Sequence, residues 1–273
     1  MRAGTKVEKK AENSCADLKG FAIPSVTGER MYACFFKPYG DGPRPTVLLL
    51  HGYPGDENNY DLAHAFQRAG YSTVIFHYRG TWGSEGLFSL SHVLEDVSSA
   101  LDFIRNHSGE NTYQFDADRL VLIGHSMGGF AALETAANTS GLLGVGAIAA
   151  FDFSLAAENS KLRDAIRQEF SDYAPVRRIE LGSLINEIGE NAEKWNFSQL
   201  ADKLSNLPVC LIGAAHDMIS VPKYHLFPLR QSLDRIQNPG ITFHMLDDGH
   251  CLSGTRIELA DLLLDWTDGL LNK

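Results

Sequence analysis

Residues 119–130 read RLVLIGHSMGGF, and this stretch decides how the chain folds. The apolar, β-prone run 120–123 predicts a strand, and residues 130–137 predict a helix close behind it. Between them stands a G-x-S-x-G turn with Ser126 at its centre. Small residues two places before and after the serine let strand and helix approach, which leaves the hydroxyl exposed at the tip. The sequence therefore predicts strand, sharp turn and helix.

Ser126 also stands at the start of the predicted helix. Backbone N–H groups and the positive end of the helix dipole favour an oxyanion there, so the N–H of Met127 is a candidate donor. A glycine-rich turn that carries an ordinary serine is the alternative interpretation. The rest of the chain has to supply a base, an acid and a second oxyanion donor.

Length, composition and charge narrow the class of protein. The chain has 273 residues, of which 44% are hydrophobic, enough for a large core in one domain with an insertion. A net charge of −10 without a Lys/Arg-rich stripe argues against nucleic acid or an anionic membrane as a partner. No apolar run approaches the roughly 18 residues of a membrane span, and the N-terminus lacks an apolar signal core. We expect a soluble, cytoplasmic protein with a small-molecule substrate, and a homodimer is one option for its assembly.

Strand-like and helix-like stretches alternate along most of the chain. Residues 1–17 are a polar lead-in. Predicted strands cover residues 20–25, 30–37, 46–50, 72–76, 120–123, 144–151, 208–214 and 241–246. Predicted helices cover residues 58–68, 92–106, 130–137, 222–236 and 256–271. The alternation predicts an α/β fold, in which helices cover both faces of a mostly parallel sheet.

The alternation stops at residues 152–205, which divide the predicted core into residues 18–151 and 206–273. Patches 161–173 and 181–195 look helical, so we interpret the insertion as a cap over the carboxyl edge of the sheet. Its large apolar residues are Phe153, Leu155, Leu162, Ile166, Phe170, Tyr173, Leu184, Ile185, Trp195 and Phe197. About half of them should pack the cap onto the core, and the others should line an apolar acyl or aromatic pocket. Tentative substrate contacts are Gly52, Asp152, Phe153 and Trp195.

A serine hydroxyl needs a general base, and the base needs a third group that fixes its tautomer. His250 lies just past the last predicted strand, and Asp217 follows the strand before it. A surface histidine and a turn aspartate are the plain alternatives. The chain order Ser126, Asp217, His250 nevertheless matches the order of nucleophile, acid and base in one hydrolase fold. Asp152, which follows the sixth predicted strand, is the rival acid.

The second oxyanion donor should lie in the loop after residues 46–50, where His51-Gly52-Tyr53 stands. Gly52 lets the backbone come close, so the N–H of Tyr53 can join that of Met127. A simple turn is the alternative. Cys251, next to His250, is a weaker nucleophile candidate because a serine already fills that position.

The motifs VLLLHGYPG, IFHYRGTWGSEG, LIGHSMGG, AAHDMISVP and DDGHCLSG resemble those of α/β-hydrolases from about Gly20 to the end of the chain. The resemblance implies a central, mostly parallel sheet of eight strands, with Ser126, Asp217 and His250 as nucleophile, acid and base. Within the family, the sequence is similar to small cinnamoyl- and feruloyl-type esterases and to the hydrolase domain of prolyl-oligopeptidase-like peptidases. The sequence shows no propeller before this domain, and Tyr78 stands where other members often have aspartate.

Two functions remain open at this point. The first is a serine carboxylesterase that acts on small to medium esters with an apolar acyl or aryl group. The second is a peptidase or amide hydrolase on the same triad. A non-enzymatic relative ranks last, since it has little reason to keep the triad. The chain contains no H-E-x-x-H, Walker A or dinucleotide motif, so we expect no metal and no cofactor.

Overall fold

The computed structural model describes residues 15–171 and 175–272. Most of the predicted lead-in, residues 1–14, and Tyr173 lie outside this range. The strands are β1 Asp17–Pro24, β2 Arg30–Lys37, β3 Arg44–Leu50, β4 Ser72–Phe76, β5 Phe115–His125, β6 Gly144–Ile148, β7 Val209–Ala214 and β8 Ile241–Leu246. The α-helices are α1 Tyr60–Arg68, α2 Leu90–Asn106, α3 Met127–Ala137, α4 Ser160–Glu169, α5 Leu181–Asn191, α6 Pro222–His225, α7 Phe227–Arg235 and α8 Arg256–Leu271.

All eight strands form one sheet in the order β1-β2-β4-β3-β5-β6-β7-β8. The β1–β2 and β2–β4 pairs are antiparallel, and the five pairs from β4–β3 to β7–β8 are parallel. Helices cover both faces, so alternate residues of a strand enter different cores. In β3, Leu48 joins the cluster that includes Phe130 of α3, whereas Leu49 joins the cluster that includes Leu263 of α8. This confirms the predicted α/β architecture.

Several predicted elements have different bounds in the structure. The helix predicted over residues 222–236 is two helices, α6 and α7, that meet at Leu226. Pro228 explains the break, because a proline inside one continuous helix lacks the N–H and clashes with the carbonyl four residues back. Strand β6 ends at Ile148, because Ala149 has a φ of 44° and leaves the extended backbone. Strand β5 begins earlier than expected, at Phe115.

Residues 152–205, called the inserted segment below, contain α4, α5 and two short 3-10 helices, Phe153–Ala156 and Phe197–Gln199. Its stretch 175–179 is bound to the loop after β4. The N–H of Arg177 donates to the Gly80 carbonyl over 2.6 Å, and the N–H of Phe88 donates to the Arg177 carbonyl over 2.7 Å. Gly80 has a φ of 73°, and a Cβ at this position would overlap the Arg177 carbonyl oxygen. The insertion is therefore joined to the core by backbone hydrogen bonds.

A buried ion pair fixes the same loop from the other side. The Arg79 guanidinium bonds Asp96 of α2 over 2.5 Å and Glu95 over 2.6 Å. The Arg79 N–H also donates to the Asp96 carboxylate, over 2.8 Å. Burial raises the pKa of Asp96 to about 6, although Arg79 acts against this shift. Arg79 thus joins the loop after β4 to α2.

Three other features of the described residues bear on function. None of their helices is long and apolar enough to cross a membrane. In the same part of the chain, no three His, Cys, Asp or Glu side chains are grouped so that they could hold a metal ion. The four cysteines are free, and Cys251 is exposed.

Candidate active site

Ser126 lies between the end of β5 and the start of α3, in a backbone conformation with a φ of 56°. Both glycines of the motif are required by close packing. A Cβ at Gly124 would overlap the carbonyl of Gly128, and a Cβ at Gly128 would overlap the carbonyl of Leu50 in β3. The predicted turn therefore brings strand and helix into backbone contact and holds the serine at their junction.

The structure brings together the three residues predicted as nucleophile, base and acid. His250 Nε2 is 2.9 Å from Ser126 Oγ, and His250 Nδ1 is 2.7 Å from Asp217 Oδ2. The other oxygen of Asp217 accepts the N–H groups of Ile219 and Ser220, each over 2.8 Å. Burial acts to raise the pKa of Asp217, but these hydrogen bonds and the charge of His250 lower it below its usual value. An ionised Asp217 requires the proton on Nδ1, so the Nε2 lone pair of His250 faces the hydroxyl.

His125 contacts His250, the predicted base. Its Nε2 is 2.9 Å from the backbone carbonyl of His250, and a carbonyl only accepts, so Nε2 carries the proton. Burial, together with the charge of His250, lowers the pKa of His125 to about 4, so the ring is neutral at pH 7. No pattern in the sequence indicated this contact, because the two histidines are 125 residues apart.

The peptide between Gly52 and Tyr53 lies against Ser126. A Cβ at Gly52 would stand 3.0 Å from Ser126 Cβ and 3.5 Å from Ser126 Oγ. His51 Nδ1 donates to the Gly52 carbonyl over 2.7 Å. In a trans peptide the N–H points away from the carbonyl, so this bond also sets the direction of the Tyr53 N–H. Met127, the other predicted donor, opens α3, where the first N–H groups have no partner within the helix.

His51 is itself held in one tautomer. Since its Nδ1 donates to the Gly52 carbonyl, its Nε2 is an acceptor, and His77 Nδ1 lies 3.3 Å away as the donor. Burial, with a further contribution from His77, lowers the pKa of His51 to about 3. The Tyr78 hydroxyl donates to the His51 carbonyl over 3.0 Å. The loop after β3 is thus fixed by neutral hydrogen-bonding groups.

Asp152, the rival acid, does not contact His250. Its carboxylate accepts the N–H and the hydroxyl of Ser154 over 2.9 and 2.6 Å, and the N–H of Phe197 over 3.2 Å. Burial raises the pKa of Asp152 to about 6. These contacts join the two 3-10 helices of the inserted segment.

Phe153 and Trp195, two of the tentative substrate contacts, are buried against the helix that begins after Ser126. Their rings meet the Phe130 ring edge-on at 5.1 and 5.3 Å between centroids. Trp195 is 1% exposed and Phe153 is 3% exposed. Packing of the inserted segment accounts for these positions, and a role in substrate contact stays a prediction.

Comparison with known proteins agrees with this geometry. A family model described as "Alpha/beta hydrolase family" matches residues 47–262. The uncharacterized protein YfhR of Escherichia coli K12 is 31% identical over 113 residues, which cover 41% of this chain and 34% of that protein. The quorum-quenching protein AidA of Acinetobacter baumannii is 31% identical over 119 residues, 41% of this chain and 38% of AidA. The chain thus spans little more than a third of these relatives.

Among solved structures, the esterase Pf2001 of Pyrococcus furiosus superposes with a TM-score of 0.70. The superposition covers 93% of this chain and 92% of the esterase, and 14% of the aligned residues are identical. At this level of identity the likeness is one of fold.

Proposed function

The chain belongs to the alpha/beta hydrolase family, and on that premise we propose that it is a serine hydrolase that cleaves carboxylic esters through an acyl-enzyme intermediate. The chain of hydrogen bonds from Ser126 through His250 to Asp217 is the observation that carries this proposal. Nucleophile, base and acid each have a partner at hydrogen-bonding distance, which is the arrangement that activates a serine.

Each step follows from the positions of these groups. His250 Nε2 takes the proton of Ser126 Oγ as the oxygen attacks the ester carbonyl carbon, and Asp217 stabilises the imidazolium. The N–H groups of Tyr53 and Met127 stabilise the resulting oxyanion. His250 then gives its proton to the leaving alcohol, and the acyl group stays on Ser126. A water molecule, deprotonated by His250, attacks the acyl-enzyme and releases the acid.

The substrate class rests on the inserted segment. We propose that residues 152–205 form a cap above Ser126 that excludes water and provides the apolar part of the binding site. Gly52 lies against Ser126, and Asp152, Phe153 and Trp195 belong to the segment that we assign to binding. Ser126 is only 8% exposed, which favours small to medium esters with an apolar acyl or aryl group. The motif resemblance to cinnamoyl- and feruloyl-type esterases supports the same class.

A serine peptidase or amide hydrolase on the same triad is the second candidate. The resemblance of the IFHYRGTWGSEG stretch to prolyl-oligopeptidase-like proteins is the observation that favours it. Both reactions use the same nucleophile and base, so only the preferred leaving group separates them.

One preparation should be tested with p-nitrophenyl esters of graded chain length, hydroxycinnamate esters and aminoacyl-nitroanilides. We expect ester cleavage to dominate, and an active-site-directed fluorophosphonate to label Ser126 and abolish activity. Ser126→Ala is the control and should lose both labelling and turnover. Faster cleavage of the anilides would favour the peptidase, and labelling at another serine would refute the assignment of the nucleophile.

A further inference from the structure

The side chain of Tyr53 lies in a cluster of three rings from three parts of the chain. Its ring centroid is 4.0 Å from that of Phe170, at the end of α4, and 5.3 Å from that of Phe88, in the loop after β4. Phe88 and Phe170 stack on each other at 5.7 Å. Phe88 is fully buried and Phe170 is 3% exposed. Tyr53 is therefore a point at which the inserted segment touches the loop after β3.

Backbone contacts fix both rings that hold Tyr53. The Phe88 N–H donates to the Arg177 carbonyl, and the Phe88 carbonyl accepts the N–H of Ile179 over 3.0 Å. The Phe170 carbonyl accepts Nε of Arg178 over 2.6 Å. Arg177, Arg178 and Ile179, which are consecutive residues of the inserted segment, therefore hold both Phe88 and Phe170.

The position of the Tyr53 ring affects the proposed oxyanion donor directly. The backbone nitrogen and the Cβ of Tyr53 are both bonded to its Cα. A ring that is held in place therefore restricts rotation about the N–Cα bond, which sets the direction of the N–H. The other side of this peptide belongs to Gly52, which has no side chain to hold, and its carbonyl is fixed by His51. The peptide is thus held at two points, the His51 hydrogen bond and the Tyr53 ring.

From this arrangement we infer that Phe170 is a positioning residue for the oxyanion hole. Its contact with Tyr53 keeps the Gly52–Tyr53 peptide in the orientation that stabilises the transition state. The inference rests on the proposed function, and it gives the inserted segment a role in the chemical step in addition to binding.

A binding role and a positioning role for Phe170 make different kinetic predictions. If Phe170 only lined an acyl pocket, its loss would raise KM for long esters and leave acetyl esters unaffected. If it positions the oxyanion donor, its loss lowers kcat for every ester, because only transition-state stabilisation is reduced. An acetyl ester separates the two, since its acyl group is too short to need a pocket.

The test compares Phe170→Ala with Phe170→Tyr, Phe170→Leu and a control, Leu263→Ala, in the full chain. Leu263 is fully buried in α8, outside the inserted segment and in a different hydrophobic cluster from Phe170. We expect Phe170→Ala to lower kcat for p-nitrophenyl acetate by about tenfold, a part of the roughly 100- to 1,000-fold effect of losing an oxyanion donor. KM should change less than about twofold. Phe170→Tyr should restore kcat, Phe170→Leu should be intermediate, and Leu263→Ala should match the wild type.

An alkyl trifluoromethyl ketone gives a second readout. Ser126 Oγ adds to its carbonyl carbon, and the oxyanion of the adduct occupies the same hole as in the reaction. Its inhibition constant should rise in Phe170→Ala by the same factor by which kcat falls. A thermal unfolding scan of each variant identifies any that do not fold. If Phe170→Ala does not fold, Phe170→Leu replaces it in the comparison with the wild type.

Equal losses of kcat in Phe170→Ala and Leu263→Ala, or a change confined to KM, would overturn the inference. Fluorophosphonate labelling of the wild type separates this failure from that of the proposed function. If Ser126 is labelled and the Phe170 variants behave like the wild type, only the positioning role is wrong. If Ser126 is not labelled, the proposed function fails, and this inference fails with it.

Discussion

Asp152 contacts a histidine other than the proposed base: its backbone N–H donates to Nδ1 of His225 over 2.9 Å. The neutral His225 ring therefore carries its proton on Nε2. Burial lowers the pKa of His225 to about 4, so the ring is neutral at pH 7. The carboxylate of Asp152 meanwhile caps the first 3-10 helix of the inserted segment. The two candidate acids thus have separate partners.

The separation predicts unequal effects of removing the two charges. Asp217→Asn should lower kcat by about three to four orders of magnitude, because it favours the wrong tautomer of His250. Asp152→Asn keeps an oxygen for the helix cap and should lower kcat far less. Steady-state kinetics on one ester compares the two variants. A reversed order of effects would make Asp152 the acid.

Glu134 predicts how stability depends on pH. It is 2% exposed in α3, and burial raises its pKa from 4.5 to about 7, against the charges of Lys194 and Lys203. Between these two pH values the folded protein binds the proton more tightly than the unfolded chain, so the free energy of unfolding should fall as pH rises. Above pH 7 the buried charge is fully destabilising.

Glu134→Gln should therefore raise the free energy of unfolding at pH 8 by about 1 to 3 kcal/mol, with little change at pH 4. Urea unfolding at both values measures the effect. Glu110→Gln, at an exposed position outside any helix, is the control and should change the free energy of unfolding at neither pH. A stabilisation that is equal at both pH values would contradict the assignment.

The Arg79–Asp96 pair predicts a stability effect. Arg79→Ala leaves the fully buried Asp96 carboxylate without its cation and should cost about 3 to 5 kcal/mol in urea unfolding. Arg79→Lys keeps the charge but loses the forked contact, so it should be intermediate. The double variant Arg79→Met, Asp96→Leu should recover part of the loss, because no buried charge is left unpaired although the Arg79 N–H loses its acceptor. If the double variant is as unstable as Arg79→Ala, an unpaired Asp96 is not the cause.

The hydrogen bond from His125 to the His250 carbonyl predicts an effect on catalysis. His125→Phe keeps a ring of similar size but removes the Nε2 donor, and we expect kcat to fall about three- to tenfold, within the roughly 1 kcal/mol of one hydrogen bond. His125→Gln offers an amide N–H in a similar position and should restore most of the rate. Stopped-assay kinetics of both variants, with fluorophosphonate labelling as a fold check, measures this. If His125→Phe and His125→Gln had the same kcat, the hydrogen bond from His125 to the His250 carbonyl would have no effect on catalysis.

The sequence alone predicts those strands and helices whose own residues determine where they begin and end. Residues 30–37, 72–76 and 241–246 have the predicted strand bounds because continuous apolar or alternating patterns end at glycines, histidines or charged residues. The proximity of Ser126, Asp217 and His250 was also predictable, since loops at the carboxyl ends of parallel strands meet at one edge.

Contacts that depend on the packing of distant segments could not be predicted from the sequence. In the sequence, Phe170 is one of ten large apolar residues of the insertion. Nothing in their spacing indicated Tyr53 as the partner of Phe170. The burial of Trp195 likewise depends on Phe130, 65 residues earlier in the chain. Pattern arguments identify apolar residues, but they do not say which of them meet.

The positive φ of Ser126 means that the proposed activity comes at the expense of the stability of the fold. A non-glycine residue in this conformation costs about 1 to 3 kcal/mol, and glycine adopts it without that cost. Ser126→Gly should therefore raise the free energy of unfolding while it removes the proposed nucleophile. The residue at position 126 would then distinguish relatives that keep the proposed reaction from relatives that have lost it.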